Sequence, residues 1–184
     1  MQRTYFKLTL IALALTGCGS QVTPFAATVP AAPTRHVGPG RVAEPSNRFS
    51  IVPPRGYASD GPSAEHFLRF LGPEEGGMTV NFNVTLHRDG HPDPQHAAAT
   101  IRMVMGLLLK DYRQAEEGFL AIDGRDAYYC SGTFDWKGCR CRNLQYFMRG
   151  RDDRVYVITF ASRESTFPAH RADFERSAAT AQAD

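Results

Sequence analysis

Residues 78–87 read Met78-Thr79-Val80-Asn81-Phe82-Asn83-Val84-Thr85-Leu86-His87, and a short loop later the chain offers Asp93-Pro94. Met78, Val80, Phe82, Val84 and Leu86 alternate with polar residues, the two-residue period of a strand with one buried face and one wet or lightly covered face. Asp93 before Pro94 is the start signal of a helix: the carboxylate satisfies orphan amides and the proline presets the backbone. The helix is predicted to run from Pro94 to about Tyr112. Its apolar stripe of Ala97, Ile101, Val104, Met105, Leu108 and Tyr112 recurs every three or four residues and serves the core.

Toward the C-terminus, Phe119 to Ile122 and an Asp123-Gly124 turn lead to a strand from Arg125 to Phe134. A tip of Asp135-Trp136-Lys137-Gly138 and a return strand from Cys139 to Met148 complete a hairpin. Arg154 to Ala161 is apolar on both alternating faces, as a central strand covered on both sides requires. Thr166 caps a second helix from Phe167-Pro168, with Phe174 and Ala178 inward. Toward the N-terminus, Glu65 to Leu71 reads as a strand ended by Gly72-Pro73, and Phe49-Ser50-Ile51 as a first strand stopped by Pro53-Pro54. The order predicts an α+β fold over residues 46–184, an antiparallel sheet of about six strands flanked by two main helices.

The 184 residues, 42% hydrophobic and 22% charged, suit one ordinary globular domain. Setting aside Arg3 and Lys7 of the leading segment, 19 basic residues face 19 acidic ones. That balance excludes a general nucleic-acid binder. Residues 1–17 carry Arg3 and Lys7, then an apolar run from Leu8 to Leu15, the layout of a secretory signal peptide and too short to span a bilayer. Leu15-Thr16-Gly17-Cys18 resembles the bacterial lipobox. The resemblance implies cleavage before Cys18 and acylation of its thiol, with ordinary cleavage and a spare thiol as the alternative. Each acyl methylene in the membrane contributes about 0.8 kcal/mol, so several chains on one cysteine hold firmly. By resemblance to enterobacterial sorting, Gly19 after the lipid site favours the outer membrane. Either cell membrane or outer membrane remains open, facing periplasm or exterior. Residues 18–45, with Pro24, Pro30, Pro33, Pro39 and Pro45 and three charges among residues 19–45, read as a disordered Pro/Ala-rich tether.

Beyond Cys18, three cysteines remain. With Asp135 opposite Gly138, Cys130 faces Asn143 and lies diagonal to Cys141. A Cys130–Cys141 disulfide is therefore expected in an oxidising compartment, with Cys130–Cys139 second and one thiol free. The segment from His87 to Asp93 plus His96 gathers His87, His91 and His96, a weak zinc or copper candidate weighed against a plain polar loop. Trp136 and Lys137 at the hairpin tip, with Arg140 and Arg142 on one face of the return strand, form a candidate partner-binding or anionic-lipid patch. A self-neutralised face is the competing reading. No nucleophile elbow, phosphate loop, dinucleotide fingerprint or His-Glu-x-x-His helix occurs, so neither an enzyme nor a cofactor is expected.

The element order, with Phe49-Ser50-Ile51-x-x-Pro54-x-Gly56-Tyr57, Asn81-Phe82-Asn83-Val84, Gly124 before Ala127-Tyr128, and Arg154-Val155-Tyr156-Val157-Ile158-Thr159-Phe160, resembles the PsbP-like superfamily over roughly residues 47–178. That superfamily includes photosystem extrinsic subunits, the Ran-binding Mog protein and DcrB-like bacterial lipoproteins. The resemblance implies an α/β/α sandwich acting by binding rather than catalysis. One departure is Ala178 after Ser177, where an aromatic often stands, which implies a less firmly packed helix end. The expectation is thus a membrane-anchored envelope lipoprotein, a non-enzymatic accessory module for an unidentified envelope protein. The alternative is a small envelope metal-binding protein or enzyme using the histidine segment or a free cysteine.

Overall fold

The computed structural model describes residues 35–36, 40–88, 91–151 and 153–183. The signal segment, Cys18 and the tether up to residue 34 lie outside the described residues. In chain order the elements are β1 (Arg35–His36), β2 (Val42–Glu44), a 3₁₀ turn (Pro45–Asn47), β3 (Phe49–Ile51), β4 (Ala58–Ser59), β5 (Leu68–Glu75), β6 (Met78–His87) and α1 (Pro94–Leu108). They continue with β7 (Lys110–Ile122), β8 (Arg125–Trp136), β9 (Cys139–Arg149), β10 (Val155–Arg163), α2 (Phe167–Ala179) and β11 (Gln182–Ala183).

Seven strands pair antiparallel in the order β4-β5-β6-β10-β9-β8-β7, and β1, β2, β3 and β11 make a smaller sheet. The α+β expectation holds, with β10 at the centre. Its Val155, Val157 and Ala161 enter the layer beneath α1. Its Tyr156, Ile158 and Phe160 enter the opposite layer, with α2 and the small sheet. There Phe70, Phe82, Phe160 and Phe174 form a stacked column, centroids 5.4, 4.9 and 4.8 Å apart, which ties β5, β6 and β10 to α2.

Several expectations are corrected. The folded unit begins before residue 46: Val42 and Glu44 are buried, and Val42, Ala43 and Glu44 pair with Ile51, Ser50 and Phe49. Strand β5 passes through Gly72-Pro73 because the ladder slips between Leu71 and Glu74, and a bulge spares the proline from donating a hydrogen bond. Helix α1 ends at Leu108, and Tyr112 belongs to β7. The polar face of β6 is covered rather than wet, with Asn81, Asn83 and Thr85 all buried. The end of α2 is also firmly tied. Ser177 Oγ donates to the Val52 carbonyl at 2.6 Å, Thr180 Oγ1 accepts from Val52 N at 2.8 Å, and Arg41 donates to the Thr180 carbonyl at 2.9 Å. Hydroxyl bonds replace the missing aromatic.

Candidate functional site

The hairpin tip is displaced by one residue from its expected place. Lys137 and Gly138, at φ of 47° and 79°, make a two-residue turn, so Trp136 pairs with Cys139 and Asp135 with Arg140. This register puts Cys130 opposite Gln145 and Cys141 opposite Phe134. The four-residue offset separates Cys130 and Cys141 by about 13 Å along the sheet, beyond the roughly 7 Å limit for a disulfide. Cys139, opposite Trp136, is farther still. All three cysteines are free, and the expected bridge is corrected. Burial raises the Cys130 thiol pKa to about 12 and the Cys141 thiol to about 11.

The arginines of the return strand are already engaged. Arg140 meets Asp135 at 3.0 Å and Glu164 at 3.4 Å, and its hydrogen bond holds the Asp135 carboxyl below the usual range. Arg142 meets Glu116 at 2.7 Å and lies 4.7 Å over the Phe167 ring. Glu116 also takes Arg171 at 2.8 Å, and that hydrogen bond helps raise the Arg171 pKa far above its ordinary value. The face is self-neutralised. Trp136 packs against the α1-side core, and Lys137 stands 6.0 Å over its ring. The four expected residues are not brought together on one face: Trp136 packs on the α1 side, whereas Arg140 and Arg142 lie on the opposite face of the hairpin, where Arg142 covers Phe167 of α2.

The histidines take local roles. His91 stacks on His96 with centroids 4.2 Å apart, and Asp93 caps α1 by accepting from Gln95 N at 3.0 Å. Among the described residues no three His, Cys, Asp or Glu side chains converge as metal ligands. An open hollow of about 290 Å³ lies between α2 and the sheet, lined by Leu120, Ile122, Tyr129, Tyr146, Arg171 and Glu175. Its two charges bond each other at 2.7 Å. That leaves no spare charge between them for a reacting group.

What the structure does present is apolar surface that the sequence reading missed. Leu107 is 79% exposed, Met103 62% and Leu108 52% at the end of α1, and Phe119 is 71% exposed on adjoining β7. Arg102 fixes the two elements together by donating to Gln114 and Glu117 at 2.6 and 2.8 Å. β7 is an edge strand paired only with β8 among the described residues. Two bulges and the charges from Lys110 to Glu117 guard its first half against strand addition, while its second half, around Phe119, keeps an unbroken register. The sequence signal was present: Met103 and Leu107 are apolar, four residues apart, and off the buried stripe.

No family model matches this sequence, and no curated protein matches it. Among solved structures, cyanobacterial PsbP (CyanoP) from Synechocystis sp. PCC 6803 superposes with a TM-score of 0.60 at 12% identity, over 85% of this chain and 100% of its own. LpqN, involved in cell envelope biogenesis of Mycobacterium tuberculosis, gives 0.57 at 10% identity, over 73% and 82%. The Saccharomyces cerevisiae Ran-binding protein Mog1p gives 0.56 at 10%, over 78% and 94%. Such identities speak for the backbone alone, and on that ground the chain has the PsbP-like α+β fold.

Proposed function

We propose that this protein is a lipid-anchored, non-enzymatic accessory module of the cell envelope that docks a protein partner through the outer face of α1 and the adjoining half of β7. The observation that carries the reading is the cluster of exposed large apolar side chains, Met103, Leu107, Leu108 and Phe119, on those two neighbouring elements. Exposed apolar surface of this kind is stabilised by a partner and costs solubility without one. Arg142, Arg171 and Glu175 are spent in ion pairs, which favours binding over catalysis. The envelope setting rests on the signal-like segment, Leu15-Thr16-Gly17-Cys18, and the likeness to LpqN. Anchoring is assigned to acylated Cys18 on the strength of the lipobox-like Leu15-Thr16-Gly17-Cys18; no helix among the described residues is long and apolar enough to cross a membrane.

A photoreactive residue placed at Leu107 or Phe119 in the native cell tests the docking face. A discrete adduct from both positions, absent from a probe at exposed Arg176 on α2, supports it, and equal labelling from all three overturns it. Radiolabelled palmitate tests the anchor, which fails if no label reaches Cys18.

A further inference from the structure

A different place in the fold gathers sulfur. Cys139 and Cys141 alternate on β9, so both side chains point to the face beneath α1, their Cα atoms about 7 Å apart. The tight β5–β6 turn rests against them. Cys141 Sγ lies 3.2 Å from Met78 Sδ, and Cys139 Sγ lies 3.6 Å from the Gly76 carbonyl oxygen. Cys141 is fully buried, Met78 nearly so, and Cys139 half-buried, leaving entry from one side. Arg163 pairs directly with Cys141 across the ladder and donates from Nη1 to the same Gly76 oxygen at 3.0 Å. Its Nε is buried without a hydrogen-bond partner.

We propose that Cys139, Cys141 and Met78 form a site for one soft monovalent ion, Cu(I). Thiolate and thioether ligands suit Cu(I), and three sulfurs satisfy it where a structural zinc site takes four ligands, typically thiolate or imidazole. With bonds near ~2.3 Å, trigonal sulfurs stand about 4 Å apart, so Cys141 and Met78 need separate by less than ~1 Å. The ion enters as Cu(I): two S–H bonds break, two protons leave to solvent, two Cu–S bonds form, and the thioether adds a lone pair. No electron moves. The resulting negative centre faces Arg163, whose unpartnered Nε gains an acceptor. Cys130, offset along β8, takes no part.

The test uses the full-length chain in detergent with Cys18→Ser, so that the N-terminal thiol takes no metal, and Cu(I) held reduced by ascorbate with bicinchoninate as competitor. The wild-type site and Cys130→Ser should each bind one Cu(I). Cys139→Ser, at a half-buried position and so expected to fold, should bind at least about a hundredfold more weakly, and Met78→Leu about tenfold more weakly. X-ray absorption at the copper edge should show sulfur neighbours alone. The proposal is overturned if Cys139→Ser binds as tightly as the parent, if Cys130→Ser weakens binding equally, or if nitrogen or oxygen neighbours dominate.

Discussion

Replacing Leu107 with Gln separates a docking role from a packing role. The side chain is 79% exposed, so the folded chain loses little by the change, and stability should stay within about 0.5 kcal/mol. With denaturation slopes of roughly 1–3 kcal/mol per molar urea, the midpoint should move by less than about 0.5 M. Binding should behave differently. Fully burying a leucine is worth about 1.5–3 kcal/mol, and the part now facing water accounts for most of that, so a partner that covers Leu107 should lose about 1–2 kcal/mol, or five- to thirtyfold in affinity. Leu144, fully buried, is the matched control: Leu144→Gln should unfold or severely weaken the domain, because it places an amide in the core. The measurements are urea midpoints of the purified chain and the yield of the crosslink formed from Phe119 in cells. An unchanged yield with Leu107→Gln would remove α1 from the interface. A loss of 2 kcal/mol in stability would show that Leu107 is packed within this chain, and the argument for an open docking face would fail.

Phe160 sits at the middle of the four-ring column and is fully buried, so Phe160→Ala should cost about 4–5 kcal/mol, and calorimetry showing less than 2 would mean the stack is not what joins α2 to the sheet. His66 is buried against Ser63, and burial, then the charge of Arg69, lowers its pKa to about 4. The unfolded chain then binds more protons than the folded one between pH 6.5 and 4, so stability present above pH 6.5 is lost as pH falls through that window, by roughly 2–3 kcal/mol from this residue. His66→Gln should flatten that slope in urea midpoints taken at pH 7 and pH 5, and an unaltered slope would assign it elsewhere. A Cβ at Gly132 would lie 2.7 Å from the Tyr112 ring, so Gly132→Ala should displace Tyr112 and cost about 1–3 kcal/mol, visible as altered tyrosine environment in near-ultraviolet circular dichroism.

The parts of the fold that were legible are those whose local chemistry and global role agree. Asp93-Pro94 and Thr166 mark helix starts, although Thr166 bonds the Glu75 carboxylate instead of its own helix. Asp123-Gly124, at φ of 54° and 67°, makes the expected turn, because Asp tolerates and Gly freely adopts the left-handed region. The apolar run of β10 betrayed a strand covered on both sides. The small sheet was less legible, because Val42–Glu44 and Gln182–Ala183 are too short to show a period and are held by pairing with β3 from opposite ends of the chain.

One missed element explains most of what failed at the site. Lys110 to Glu117 is rich in residues with good helix propensity, and an isolated reading extends α1 into it, yet the sheet claims it because pairing with β8 buries Ile122 and half-buries Leu120 farther along the same strand. Carrying the helix on to about Tyr112 put Leu108 and Tyr112 in a core stripe, whereas Leu108 is exposed beside Met103 and Leu107 at the end of α1 and Tyr112 lies in β7. Glu116 fell between that helix and the strand expected from Phe119, so the carboxylate that β7 brings to Arg142 and Arg171 had no visible place. Without that carboxylate Arg140 and Arg142 read as a binding patch, while of the open apolar surface only Leu108 was expected in the core and Met103, Leu107 and Phe119 were given no role. The exposed apolar face and the satisfied arginines are two consequences of the same strand, so a variant that unpaired β7 from β8 would be expected to free the arginines and dismantle the docking face together.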